Sequence, residues 1–181
     1  MFLATQDELD WFYGGGAGRF WPELWANFVD AVPDSERNDL ISAYHRRLFS
    51  GNRAEEIEFA RAWSVWESAL AAIGSNGVTG DPPADYTRAF ARLENHYFKN
   101  NAFFECDGQL LQGATALAEV SGTIVQGRFD MICPPMSAFK LQKVWPRAKL
   151  HMIGQAGHAL SEPGITRALV QVMDGLARPL R

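Results

Sequence analysis

Two short apolar runs in the C-terminal third constrain this chain more than any other feature. Thr123-Ile124-Val125-Gln126 and Lys149-Leu150-His151-Met152-Ile153 each read as a buried β-strand. Each runs into a glycine-containing loop, Gly127-Arg128-Phe129-Asp130 after the first and Gly154-Gln155-Ala156-Gly157-His158 after the second. Between them, Ser137 to Val144 has helical spacing and is closed by Trp145-Pro146. A last helix is expected from Pro163, carrying Ile165, Leu169, Val172, Met173 and Leu176. Strand, helix, strand, helix implies parallel strands joined by a crossover. Two parallel strands do not make a stable sheet alone, because both faces and both edges need cover. The expected class is therefore α/β, and this part is read as the tail of a larger domain. The strand at 123–126 should leave an exposed edge that favours self-association.

The residues before this tail read as helices with short breaks. Thr5-Gln6-Asp7-Glu8 is a capping-box pattern leading into Leu9, Trp11, Phe12 and Tyr13. The glycine-rich run Gly14 to Gly18 ends that helix. Pro22 starts the next, with Leu24, Trp25, Phe28 and Val29 on one stripe. Asp34 or Ser35 is expected to cap a third helix carrying Leu40, Ile41, Tyr44 and Leu48, and a long fourth runs from about Arg53 to Ala72. Gly74 to Ala84 reads as a loop, and a fifth helix spans about Asp85 to Phe98. Most of the 6 Trp and 12 Phe fall in this region, which separates it in character from the tail. The expected division is a helical cap, residues 1–113, followed by residues 114–181 as the end of an α/β core.

Composition removes several functions. The net charge of −4 gives no electrostatic case for nucleic acid. No apolar run approaches the ~20 residues of a membrane span, and no basic stretch leads into an apolar one at the start as in a signal peptide. Cys106 and Cys133 make no disulfide framework, so a cytoplasmic setting is expected. His45, His96 and His151 show no metal-ligand spacing. Gly14 to Gly18 follows a helix, not a strand, and has Arg19 where a nucleotide loop needs glycine.

The chemistry-bearing candidates are few. Asp130 and His158 each end a strand, which puts both on one rim of a parallel sheet. An acid followed by a histidine suits a catalytic triad, the acid fixing the imidazole tautomer. Read singly, Asp130 could cap a turn and His158 could be a surface residue. The serine elbow, Gly-x-Ser-x-Gly, is not found in residues 1–181. Ser64 falls within a predicted helix and Ser161 after the histidine loop, neither with an elbow around it. Glu67 shares a helical stripe with Trp63 and Leu70, and Glu94 with Phe90 and Tyr97, so both carboxylates are expected on apolar faces. They would suit a cationic ligand such as a peptide amine. A structural ion pair with Arg46 or Arg92 is the other reading. Cys133, three residues past Asp130, either lines a pocket or is a small buried hydrophobe.

Taken together, these strings resemble the proline iminopeptidases, serine enzymes of the α/β-hydrolase superfamily. The resemblance is carried by Leu9-Asp10-Trp11-Phe12-Tyr13, Ala62-Trp63-Ser64-Val65-Trp66-Glu67, Ala89 to Phe98 (Ala-Phe-Ala-Arg-Leu-Glu-Asn-His-Tyr-Phe), Gly127 to Asp130, and Gly157-His158 with Glu162-Pro163. It implies that Asp130 and His158 are the acid and base of a triad. Glu67 and Glu94 would bind the amino group of an N-terminal proline, and Cys133 would lie near the pocket. It further implies peptide substrates with N-terminal proline and no metal or cofactor. The family's sheet, oxyanion loop and serine elbow precede the matching region, so the chain alone is expected to be a truncated and inactive form. A non-catalytic binder of proline peptides or amines, or another capped hydrolase such as an epoxide hydrolase, is the alternative.

Overall fold

A computed structural model describes residues 1–73 and 82–177. The loop expected from Gly74 to Ala84 falls mostly outside the described residues. The chain divides into two compact units, each described by itself.

The helical unit comprises residues 4–69 and 82–107 of the described chain. Its helices are α1 (Gln6–Tyr13), α2 (Pro22–Asp30), α3 (Leu40–Leu48), α4 (Arg53–Ala69) and α5 (Ala84–Lys99). The capping box forms as the sequence predicts: Glu8 N–H donates to Thr5 Oγ1 and Thr5 N–H to Glu8 Oε2. Asp39, not Asp34, caps α3, accepting from Ser42 N–H at 3.0 Å. Asp34–Glu36 instead makes a single 3₁₀ turn. The glycine run lets the turn after α1 pack closely on α2: a Cβ on Gly18 would lie 2.5 Å from the ring of Trp25.

The aromatic residues are the core of this unit. Phe28 stacks on Tyr44 with ring centroids 4.4 Å apart, and Tyr13 stacks on Trp63 at 4.6 Å. Trp63, Trp66, Phe28 and Tyr44 are almost wholly buried. Among the described residues the Ser64 hydroxyl is buried without a hydrogen-bond partner, and other polar groups inside are paired. Tyr44 donates to the Phe28 carbonyl at 2.7 Å, and Asn95 donates to the Ile41 carbonyl at 2.9 Å. Buried Glu56 on α4 takes Arg88 and Arg92 of α5, the latter at 3.0 Å.

The second unit comprises residues 1–3, 70–73 and 108–177 of the described chain. Its elements are α6 (Gln109–Gly113), β1 (Gly122–Gly127), α7 (Pro135–Val144), β2 (Ala148–Ile153) and α8 (Pro163–Ala177). β1 and β2 pair in parallel, Gly122 opposite Ala148 through Gly127 opposite Ile153. Ile124, Ala138, Leu141 and Ala148 form the core with Leu3 and Ala114. Leu3 is the reason residues 1–3 belong here, and the unit starts at Gly108 rather than at 114 because Leu111 and Ala114 pack on the same core. The molecule is thus mixed helix and sheet, with one two-stranded parallel sheet among the described residues.

Candidate active site

The ends of the two strands hold each other's loops. Past β1, Arg128 N–H donates to the Ile153 carbonyl and Phe129 N–H to the Ala156 carbonyl, both at 2.9 Å. This crossing leaves no room for a side chain at Gly127: a Cβ there would sit 2.0 Å from the Gly157 oxygen. Asp130 therefore emerges beside the histidine loop. It is 4% exposed. Its Oδ1 accepts from the backbone N–H of Ile132 (3.1 Å) and Cys133 (2.8 Å), and its Oδ2 accepts from Gln126 Nε2 at 3.0 Å.

His158 Nδ1 lies 3.1 Å from Asp130 Oδ2 and 3.2 Å from Oδ1. A carboxylate only accepts, so Nδ1 carries the proton and Nε2 is left as a base. The ring is 38% exposed, against 4% for its acid. Its loop is pinned from behind. His158 and Ala159 N–H both donate to the Ala71 carbonyl, at 2.9 and 2.7 Å. Glu162, 9% exposed, accepts from the N–H of Gly157 (2.9 Å) and Ile73 (2.7 Å). Asp130, His158, Gln126, Gly157 and Leu160 line a cavity of about 330 Å³. Such a pair can hold an imidazole in one tautomer and let it take a proton from a nucleophile.

Glu67 and Glu94 belong to the helical unit. Glu67, on α4, is buried and accepts a short hydrogen bond from Tyr13 OH. Glu94, on α5, is half-buried and accepts from Trp63 Nε1 at 3.0 Å. The stacked Tyr13 and Trp63 rings thus each serve one carboxylate. Burial first, and the nearby Glu94 second, push the Glu67 carboxyl well above the ordinary glutamate value of 4.5, with Tyr13 pulling the other way. Arg46 pairs with Glu36 and Arg92 with Glu56. Cys133 is 2% exposed and meets Asp130 through its backbone N–H.

Gln126, Glu162 and Tyr13 are the polar contacts that sequence reading left without a role. A signal existed for Gln126: it is a polar residue in an apolar strand, two residues after core-facing Ile124. Among the described residues no three His, Cys, Asp or Glu gather as a metal site, and no helix is long and apolar enough to cross a membrane.

Fold and site together define a mixed helix-and-sheet protein with an acid–histidine pair at the ends of two parallel strands. No family model matches the chain. It is 46% identical over 179 residues to a proline iminopeptidase from Xanthomonas citri, covering 98% of this chain and 57% of that protein. It is 43% identical over 173 residues to a proline iminopeptidase from Arabidopsis thaliana, covering 94% of this chain and 46% of that protein. The Neisseria gonorrhoeae proline iminopeptidase is 38% identical over 177 residues, 97% of this chain and 56% of its own. The chain is a partial-length relative of the proline iminopeptidases, spanning about half the length of the curated relatives it matches.

Proposed function

We propose that this chain serves the release of N-terminal proline from peptides, as the acid–base and amine-binding part of a serine exopeptidase. The observation that carries the reading is the Asp130–His158 hydrogen bond, in a chain matched almost end to end by proline iminopeptidases. The sheet-bearing unit is read as the last part of an α/β-hydrolase core and the helical unit as its cap.

The nucleophile in this account is a serine outside residues 1–181. Ser64 lies within α4 with its hydroxyl buried, and Ser161 follows the histidine loop. His158 Nε2 takes the serine proton as the serine oxygen attacks the carbonyl of the N-terminal proline. The C–N bond breaks, the proton passes from His158 to the departing amine, and a prolyl ester remains. Water then attacks that ester by the same route, releasing proline and restoring the serine. Asp130 holds the imidazole and stabilises its charged form. Glu67 and Glu94 hold the secondary ammonium of proline, and Cys133 sits beside the pocket. No step needs a metal or cofactor. Cys106 and Cys133 form no disulfide, which supports a reducing, cytoplasmic setting.

Two measurements on the 181-residue chain test this. Isothermal calorimetry with prolinamide should show binding, weakened about tenfold or more by Glu67→Gln or Glu94→Gln, which is at least ~1.4 kcal/mol each. The same chain should release no nitroaniline from proline 4-nitroanilide. Absence of any prolinamide binding contradicts the amine site, and turnover by the chain alone contradicts an outside nucleophile.

A further inference from the structure

Gln126 is 1% exposed and lies in β1, where an apolar residue of similar length would pack without any hydrogen-bonding demand. Its amide is fully engaged. Nε2 lies 3.0 Å from Asp130 Oδ2, 3.1 Å from the Cys133 carbonyl oxygen and 3.3 Å from that of Gly127. Three acceptors around one atom settle which end of the amide is there, since only the NH₂ group donates. Oε1 points the other way and accepts from the amino group of Met1 at 2.8 Å.

Gln126 grips Oδ2, which lies 3.1 Å from His158 Nδ1, with Oδ1 at 3.2 Å. Asp130 Oδ1 is held by the backbone of its own loop, at Ile132 and Cys133. Among the described residues only Gln126 and His158 hold Oδ2, so without Gln126 the carboxylate is anchored on the protein side through Oδ1 alone.

We infer that Gln126 is a positioning residue for the acid–histidine pair: its side-chain amide fixes Asp130 Oδ2 against His158 Nδ1. The imidazole is thereby kept in the Nδ1–H tautomer that leaves Nε2 bare. The inference rests on the acid–base roles proposed for Asp130 and His158. It also explains why a strand in the core carries an amide where packing alone would choose an aliphatic side chain. In this role the amide acts through Asp130.

The test reads the tautomer directly, by ¹⁵N NMR of histidine-labelled chain in alkaline buffer, with His158→Ala assigning the signal. The other three histidines are internal controls. In the unsubstituted chain His158 should be almost wholly the Nδ1–H form, and Asp130→Asn should reverse this. Gln126→Met keeps the length and apolar packing but removes the donor, and it should cut the Nδ1–H population at least twofold. Gln126→Glu, with an acceptor facing an acceptor, should cut it further. A merely structural role would leave the tautomer unchanged in a folded variant, as judged by the amide spectrum. A Gln126→Met chain with the original tautomer population overturns the role of Gln126. A starting chain that is not Nδ1–H overturns instead the acid–base reading beneath it.

Discussion

Glu67 is the residue whose environment departs furthest from that of an ordinary carboxylate. It is buried beside Glu94, and both effects favour its protonated form over the ionised one. The sign for stability follows. Below the unfolded-state value near 4.5, both states hold the proton and the residue costs nothing. As pH rises above that value the unfolded chain releases its proton while the folded chain keeps it, so folded stability falls until the raised folded value is passed. Glu67→Gln cannot ionise and escapes this loss. Its melting temperature, relative to the original chain, should therefore rise steadily as pH goes from 4 to 8, as differential scanning calorimetry would record. A gap that stays constant over that range contradicts the assignment. How far such residues were legible depends on helical phase. The sequence placed Glu67 on an inward stripe with Trp63, and it is buried there. It placed Glu94 on a stripe with Phe90 and Tyr97, but α5 buries Thr87, Ala91 and Asn95, leaving Tyr97 exposed and Glu94 at the border. The phase differs because the packed face of α5 uses smaller residues, Thr87, Ala91 and Asn95, where it meets α3 and α4, and its large aromatic residues lie off that face. The role of Gln126 is not legible from sequence for a related reason: its three acceptors, on Gly127, Asp130 and Cys133, are brought together only by the fold of the loop.

At the level of elements, boundaries set by neighbouring residues are legible in the sequence, and those set by tertiary packing are not. The capping box, the start of α2 at Pro22 and the limits of α7 and of both strands follow from nearby residues, and they lie close to where spacing put them. The cap of α3 moved from Asp34 to Asp39, because two good capping residues compete and only the packing of Leu40, Tyr44 and Leu48 decides between them. α4 ends at Ala69, three residues short of the predicted end, and the chain released there supplies the Ala71 carbonyl and Ile73 N–H that secure the histidine loop. The sheet has its own consequence. Among the described residues β1 hydrogen-bonds to no strand but β2, and α8 leaves Val170, Met173 and Leu176 more than half exposed. A two-stranded parallel sheet packed with a helix whose apolar residues are this exposed favours pairing with another copy. Sedimentation velocity of the chain at about 50 µM, a concentration where such surfaces associate, should show species larger than a monomer. Met173→Glu should reduce them. A clean monomer at that concentration removes this part of the account.

At the scale of the molecule, two units carry two kinds of group: paired carboxylates in an aromatic helical unit, and an acid–histidine pair on the rim of a small parallel sheet. The chain also covers only about half of each relative it matches. The most direct test of the central claim is a chimera in which this chain replaces the matched region of the Xanthomonas citri relative, assayed on proline 4-nitroanilide. The account predicts release of nitroaniline by the chimera, with kcat lowered roughly 10⁴-fold or more by His158→Ala and strongly lowered by Asp130→Asn. A folded chimera that releases none, or one whose activity survives His158→Ala, would contradict it.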